Sequence, residues 1–355
     1  MIRLYAVRTA VFLIGIVLML ISSGPQPAKA DDKEALLQFL FDAPHRMADS
    51  LLDMPAIAPV EKPFTAALKA AISGDLAAAQ THAAGVGYEL VEKAADGRGY
   101  VILIERDRAG IGPTVAIAHN PVRDVVIEAP HPIKDRDTDR QAAVLFVELG
   151  ARALVLSGAN RCASKTDSSC SGKTSVCGDG RNPYRTSDPA HNPATLFHVA
   201  HRVFTRTWPE SIAFQPHGFN NSGKSVWFVI SDGTKEKRPG DGMLTGRVRD
   251  AIRAAVGKDR AVSCQDPDDR SIETRWLCAT TTVQGRDLNG SPSVCRTRAG
   301  KSSGRFLHIE QTYDDVRKGF GRDWKNLGSH PGSAAILSAL KKELPCINAG
   351  CAPVK

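Results

Sequence analysis

The chain has 355 residues, a formal charge of +8 and 42% hydrophobic content, enough apolar material for a substantial core, and after the first thirty residues no segment is apolar enough to be expected to span a membrane. The basic residues are scattered among acids, without the clusters or interleaved aromatics of a nucleic-acid groove, so no nucleic-acid partner is expected. Eight cysteines, with no C-x-x-C pair among them, exclude a thiolate metal cluster and point to disulfides in an oxidising compartment.

Residues 1–30 carry Arg3 and Arg8, then an apolar run, then Ala28-Lys29-Ala30 ahead of Asp31. Basic, apolar and small-residue segments in that order are those of a secretory leader, and the apolar run is shorter than the roughly 20 residues a membrane span needs. Cleavage after Ala30 is expected, which removes three basic residues and leaves a mature charge of about +5. The mature protein is therefore expected in the periplasm or outside the cell, with no membrane span. Its oligomeric state is not readable.

Residues 34–54 have helical apolar spacing interrupted near Pro44, and a second helical stretch covers 64–84. Together they make 31–85 a helical N-terminal segment. From residue 86 the period changes to short strand-like runs, GYELVEKA, GYVILIERD and TVAIAHNP, separated by turns, which form an antiparallel entry into a sheet. DVVIEAPHP, a helix at 137–150, RALVLSGA, a helix at 194–207 and ESIAFQPHG then alternate. SVWFVISD, a helix near 243–256, AVSCQD, ATTTVQGR, RFLHIEQT and a helix around 333–342 follow.

Nearly continuous apolar strands alternating with helices are buried on both faces. Residues 86–355 are thus expected to be an α/β domain, a three-layer αβα sandwich on a mixed, largely parallel sheet of the phosphorylase/hydrolase-like kind. Connectivity among the cysteines is open, and the local candidates are Cys170 with Cys177, Cys264 with Cys278, and Cys346 with Cys351.

Open α/β sheets bind ligands at the carboxyl ends of their strands. There the sequence places Glu128, His131, Asp135 and Asp137 after one strand, His217 at the end of another, Asn160-Arg161 after a third, and His308 with Glu310 on a fourth. Two histidines and carboxylates converging from strand ends have the ligand types of a catalytic zinc site with one open position. His131 and Asp135 supply two ligands from one loop, and His217 supplies a third. Taken singly, each histidine could instead cap its strand. Glu128, costly to bury alone, is read as an acceptor orienting His131, with ligand or arginine partner as alternatives.

Ser187 or Asp188 is read as a turn cap. His191 is the better candidate of its neighbourhood for a substrate contact, while His198 and His201 are placed on a helix flank. Gln284 and Arg286, after Thr280-Thr281-Thr282, are in reach of a substrate or lie in an exposed hairpin turn. No G-x-S-x-G elbow, P-loop or dinucleotide fingerprint occurs.

The strand ending in PHP, the Asn-Arg after a strand, the late His-Gly and the terminal Glu together resemble N-formylglutamate amidohydrolase and zinc carboxypeptidase-like hydrolases, over about residues 124–317. The resemblance implies Zn2+ on His131, His217 and Asp135, Glu310 as general base, and Arg161, beside Asn160, as a grip on a substrate carboxylate. The chain departs from the H-x-x-E of carboxypeptidase-like relatives: Lys134 stands three residues after His131 and Asp135 one further on. The acidic ligand is thus open among Asp135, Asp137 and Glu128. The expected function is an exported metal-dependent hydrolase, with zinc the expected metal, of amide bonds in small acylated amino acids, peptides or cell-wall fragments. The rival is a non-catalytic periplasmic ligand-binding or envelope protein on a degenerate hydrolase fold.

Overall fold

The computed structural model describes residues 30–45, 54–220, 225–269, 277–348 and 351. The expected leader and the end of the first helical stretch fall outside them. Helix α1 (Ala30–Phe41) leads to α2 (Ala58–Ser73) and α3 (Leu76–Ala84), then strands β1 (Tyr88–Ala95), β2 (Arg98–Glu105), β3 (Thr114–Ala118) and β4 (Arg123–Ala129). After α4 (Thr138–Leu149) and β5 (Ala151–Leu156) come two short strands, β6 (Lys173–Thr174) and β7 (Asn182–Pro183), then α5 (Leu196–Thr207) and β8 (Ile212–Gly218). The chain continues through β9 (Phe228–Ser231), α6 (Leu244–Val256), β10 (Ala261–Ser263), α7 (Val283–Leu288), β11 (Phe306–Gln311), α8 (Lys318–Arg322) and α9 (Pro331–Glu343).

Nine strands form one mixed sheet in the order β1-β2-β3-β5-β4-β8-β11-β9-β10. The centre, β5-β4-β8-β11, is parallel. The β1-β2-β3 side is the antiparallel entry the turns announce, and β3 also runs antiparallel to β5. Alternation along the strands splits the apolar side chains between two cores. Ile127, Leu154, Phe214, Leu307 and Ile309 face α1, α4, α6 and α9. Val126, Ala153 and Val155 face α2, α3 and α5, through Phe64, Ala79 and Phe204 among others. Two cores on two faces make the three layers.

Two element readings are corrected. The helical stretch 64–84 is two helices, because Gly74 takes a left-handed φ of 82° that ends α2 and Asp75 restarts the chain by accepting the Ala78 N–H at the head of α3. ATTTVQGR is a turn and the short helix α7 rather than a strand. There Val283 N–H bonds to Ala190 O and the Gln284 amide to Pro189 O, so tertiary partners outside the segment override the β preference of three threonines.

All eight cysteines pair, and local proximity predicts two of the four bridges, Cys264–Cys278 and Cys346–Cys351. Cys170 bonds Cys295 and Cys177 bonds Cys162, in place of the expected Cys170–Cys177. The reason is docking: Ser171 N–H bonds to Cys295 O and Ser168 N–H to Tyr184 O, which seats the 170–184 loop against a segment more than a hundred residues later.

Candidate active site

The four parallel strands deliver their carboxyl ends to one edge of the sheet. From β4 the chain passes to β5 on one side, while β8 and β11 lie on the other. A crevice forms where the strand order reverses in this way. A cavity of about 1470 Å³ opens there, and His131, Asp135, His191, His217, His308 and Glu310 are among its walls. The sequence-predicted residues, from the loop after β4, the loop before α5 and strands β8 and β11, are thus brought together.

Asp135 N–H bonds to His131 O, a turn that folds the loop after β4 back on itself. Asp135 Oδ2 then lies 3.4 Å from His131 Nδ1 and 3.1 Å from His217 Nδ1. One donor atom from each of the three lies within 4.8 Å of the others, and all three side chains are buried. Of the acids left open by the sequence, Asp135 is the one beside the histidines. Asp137 Oδ2 accepts from the Tyr313 hydroxyl, and Glu128 is engaged elsewhere.

The far nitrogens of both histidines are anchored. His131 Nε2 donates to Asp188 Oδ1 at 2.8 Å, and His217 Nε2 faces Gln215 Oε1 at 3.5 Å. Those acceptors fix the ring orientation and turn both Nδ1 atoms to the cluster, which is how histidine ligands are held. Two imidazole nitrogens and a carboxylate oxygen with an open side suit zinc. One contact competes: Arg161 Nη1 stands 3.2 Å from His131 Nδ1, and a cation in the cluster has to displace it.

Charge is balanced by pairing inside the burial. Burial and Arg161 push the His131 pKa down, but Asp188 and Asp135 outweigh them and it is raised. Burial pushes Asp135 up, yet hydrogen bonds to His131 and His217 hold it well below the usual carboxylate range. Burial takes His217 down to about 4 against the pull of Asp135. Glu310 is pushed up to about 8 by burial and then by Asp135, and its Oε2 has no partner among the described residues. In β11, Leu307 and Ile309 enter one core while His308 and Glu310 share the other face, with Glu310 in register with His217 of β8.

Asp188 is the residue that sequence reasoning missed. It is fully buried, and Oδ1 accepts from His131 Nε2 and from His191 Nδ1 at 3.0 Å. Oδ2 takes Arg161 Nε at 3.0 Å and Nη2 at 2.7 Å. Despite burial, Arg161, His191 and His131 hold its carboxyl well below the ordinary range. Only the spacing SDPAH hinted at it, an acid three residues before a histidine, and that spacing says nothing of partners 27 and 57 residues away.

The other expected residues fall in different places. His191 lines the cavity, 3.3 Å from Thr281 Oγ1 and stacked on Tyr184 at 3.6 Å between ring centroids. Burial lowers its pKa to about 4. Arg161 reaches the cavity, but two of its nitrogens are engaged by Asp188 instead of facing a substrate. Asn160 Oδ1 accepts the Cys162 N–H and shapes the turn after β5. Arg286, 1% exposed, donates to the carbonyls of Thr280 and Val294, so it holds the loop that carries the cavity threonines.

Glu128 orients a different histidine than expected. Its Oε1 accepts from His201 Nδ1 at 2.8 Å and its Oε2 from Gln215 Nε2 at 2.9 Å. With the Gln215 NH2 fixed on Glu128, its carbonyl oxygen is the atom left for His217. Register explains the switch, since Ile127 pairs with Phe214 and the next residues along, Glu128 and Gln215, fall side by side. His198 and His201, read as flank residues of α5, are both buried.

No family model matches the chain, and no curated protein matches it. Among solved structures, the N-formylglutamate amidohydrolase of Ralstonia eutropha JMP134 aligns at 12% identity and a TM-score of 0.37, covering 63% of this chain and 97% of that one. At that distance the comparison assigns neither family nor activity.

Proposed function

We propose that the chain is an exported metal-dependent hydrolase of amide bonds, with zinc held by His131, Asp135 and His217. The observation that carries the reading is the convergence of those three donor atoms at the sheet's carboxyl edge, with the far nitrogens anchored and Glu310 alongside. When bound, the ion supplies Lewis acidity toward a carbonyl and a water. Glu310, in the cavity wall with its Oε2 unpartnered among the described residues, accepts the proton of the attacking water and returns it to the leaving nitrogen. A cation beside Glu310 favours its carboxylate form over the protonated form that burial imposes. Asp188 keeps His131 oriented, and Gln215 does the same for His217.

The cavity exceeds the ~300–1,000 Å³ of ordinary small-molecule pockets, which supports peptides or cell-wall fragments over single acylated amino acids. Export is supported by the leader pattern and by four disulfides with no free cysteine among the described residues. No described helix is long and apolar enough to cross a membrane. One observation favours the rival, a ligand-binding protein without catalysis: the Arg161 contact on His131 Nδ1 occupies a ligand atom. Elemental analysis of protein purified without chelator separates the two. A stoichiometric transition metal, with release of amine from an acyl-peptide panel, supports the hydrolase, and metal-free protein that takes up no added zinc overturns it.

A further inference from the structure

Asp188 Oδ1 accepts from two histidines, and only His131 is among the residues to which zinc is assigned. The other, His191, has its Nδ1 3.0 Å from Asp188 Oδ1 and its Nε2 3.3 Å from Thr281 Oγ1. A carboxylate gripped by the Arg161 guanidinium accepts and does not donate, so Nδ1 carries the ring proton of the neutral imidazole and Nε2 presents a lone pair. The Thr281 hydroxyl therefore donates to His191. Tyr184, whose ring stacks on His191, has its hydroxyl 3.1 Å from Thr281 Oγ1. With the threonine proton committed to the imidazole, the phenol is the donor of that second bond.

The backbone holds these groups in place. Val283 N–H bonds to Ala190 O at 2.8 Å and the Gln284 amide to Pro189 O at 2.8 Å, which clamps the turn before α7 onto the loop that carries Asp188 and His191. Ahead of the three threonines, Ala279 takes a left-handed φ of 52°, just after the Cys264–Cys278 bridge. Few residues with a side chain adopt that region, and such departures cluster at functional sites. Thr282 uses its hydroxyl on its own turn, donating to Ala279 O at 3.0 Å, whereas Thr281 turns to two side chains of another loop. Tyr184, His191 and Thr281 line the cavity, and Asp188 lies behind them, fully buried. A base oriented by a carboxylate, within hydrogen-bond reach of a cavity hydroxyl, is the arrangement that activates a nucleophile.

We propose that Thr281, His191 and Asp188 form a second catalytic group in this cavity, which cleaves carboxylic esters through an acyl-threonine and needs no metal. Thr281 Oγ1 bonds the ester carbonyl carbon while its proton passes to His191 Nε2. The carbon–oxygen bond to the alcohol then breaks, and the departing oxygen takes that proton from His191. Water, giving a proton to His191, attacks the acyl-threonine, and the proton returns to the Thr281 oxygen as the acid is released. The Tyr184 hydroxyl, donating to the Thr281 oxygen, stabilises the negative charge that grows there. An ester suits this base better than an amide. Burial takes His191 down to about 4, so the imidazole has little proton affinity, and the more electrophilic carbonyl needs less help from it.

The probe is diisopropyl fluorophosphate, which reports an activated hydroxyl without the natural ester: the Thr281 oxygen bonds phosphorus, the P–F bond breaks, and fluoride leaves with the proton that His191 took. One phosphoryl adduct per chain, mapped to Thr281 by peptide mass spectrometry, is expected both in protein as purified and after chelator treatment. Thr281→Ala is expected to lose the adduct, Thr281→Ser to react at least as fast as wild type, and His191→Gln to slow labelling about tenfold or more. No adduct, an adduct on Tyr184 or elsewhere, labelling that vanishes with chelator, or labelling that His191→Gln leaves unchanged overturns the proposal. Should Thr281→Ala not fold, as read by circular dichroism, Thr281→Ser decides, and slower or absent labelling at position 281 overturns it. Metal content is read separately: a metal-free protein labelled at Thr281 sinks the zinc reading alone, and a metalloprotein that is never labelled sinks this one alone.

Discussion

Glutamine in place of Glu310 keeps the size of the side chain and removes the oxygen that accepts a proton. Glu310 also falls within 4.8 Å of His217 and His308, but it is outside the His131, Asp135 and His217 set to which the metal is assigned, so Glu310→Gln is expected to retain the metal and lose at least about a hundredfold in turnover. Near-normal turnover refutes the proton-transfer role, and loss of metal, read by elemental analysis, makes Glu310 a ligand. His131→Ala and His217→Ala are each expected to abolish metal retention while circular dichroism stays native, since each removes one of three protein ligands. Full occupancy in either variant sinks the assigned site. At this scale the sequence showed which side chains end strands, and so His131, Asp135, His217 and Glu310 were legible. Glu128 and Asp188 were not, because a carboxylate's partners are set by register and loop docking, and both lie far along the chain.

Loops define the cavity as much as strands do, and disulfides hold the loops. The Cys170–Cys295 bridge spans 125 residues, and Cys162–Cys177 spans 15. In the chain-entropy account a longer closed loop gives a larger stabilisation, about 3 kcal/mol for some 15 residues and nearer 5 for about a hundred. A Cys170→Ser/Cys295→Ser double variant is therefore expected to lose more stability in urea unfolding than Cys162→Ser/Cys177→Ser, by about 1 to 2 kcal/mol. Equal losses would show that the 170–184 loop is held by its hydrogen bonds rather than by the bridge. The same docking explains why local cysteine spacing failed at Cys170: sequence proximity governs pairing only where no tertiary contact brings a distant partner nearer.

Across the whole molecule, burial of ionisable groups at one sheet edge makes stability depend on pH. In the metal-free protein His191 and His217 are held neutral with pKa values of about 4, and burial takes His198 and His308 well below their ordinary value. Between about pH 6.5 and 4 the unfolded chain takes up protons on these rings that the folded state refuses, so stability falls as pH falls through that window. Glu310 acts in the opposite sense: its raised pKa of about 8 favours the fold below the unfolded value of 4.5, and that contribution is lost as pH rises through 8. His131 and Glu105, whose pKa values are also raised, act with Glu310, but the four lowered rings outweigh these three, so the urea midpoint of the metal-free protein is expected to drop on acidification from pH 6.5 to 4.5. A midpoint that rises over that range contradicts the burial of the histidines as neutral rings.

The sequence by itself determined the layered α/β fold and its antiparallel entry, because strand and helix periodicities are local and the sheet's two buried faces leave a continuous apolar signature in each central strand. It also placed His131, Asp135, His217 and Glu310 at strand ends, where the topology had to gather them. Only the tertiary structure decided that Glu128 serves Gln215 and His201, that Asp188 links His131, His191 and Arg161, and that Arg286 holds a loop. The same folding step left Arg317, unremarked as a site residue in the sequence, as a buried cation over Gly218. Those outcomes depend on strand register and on which distant loop reaches a charge first, and neither is encoded in the spacing of neighbouring residues.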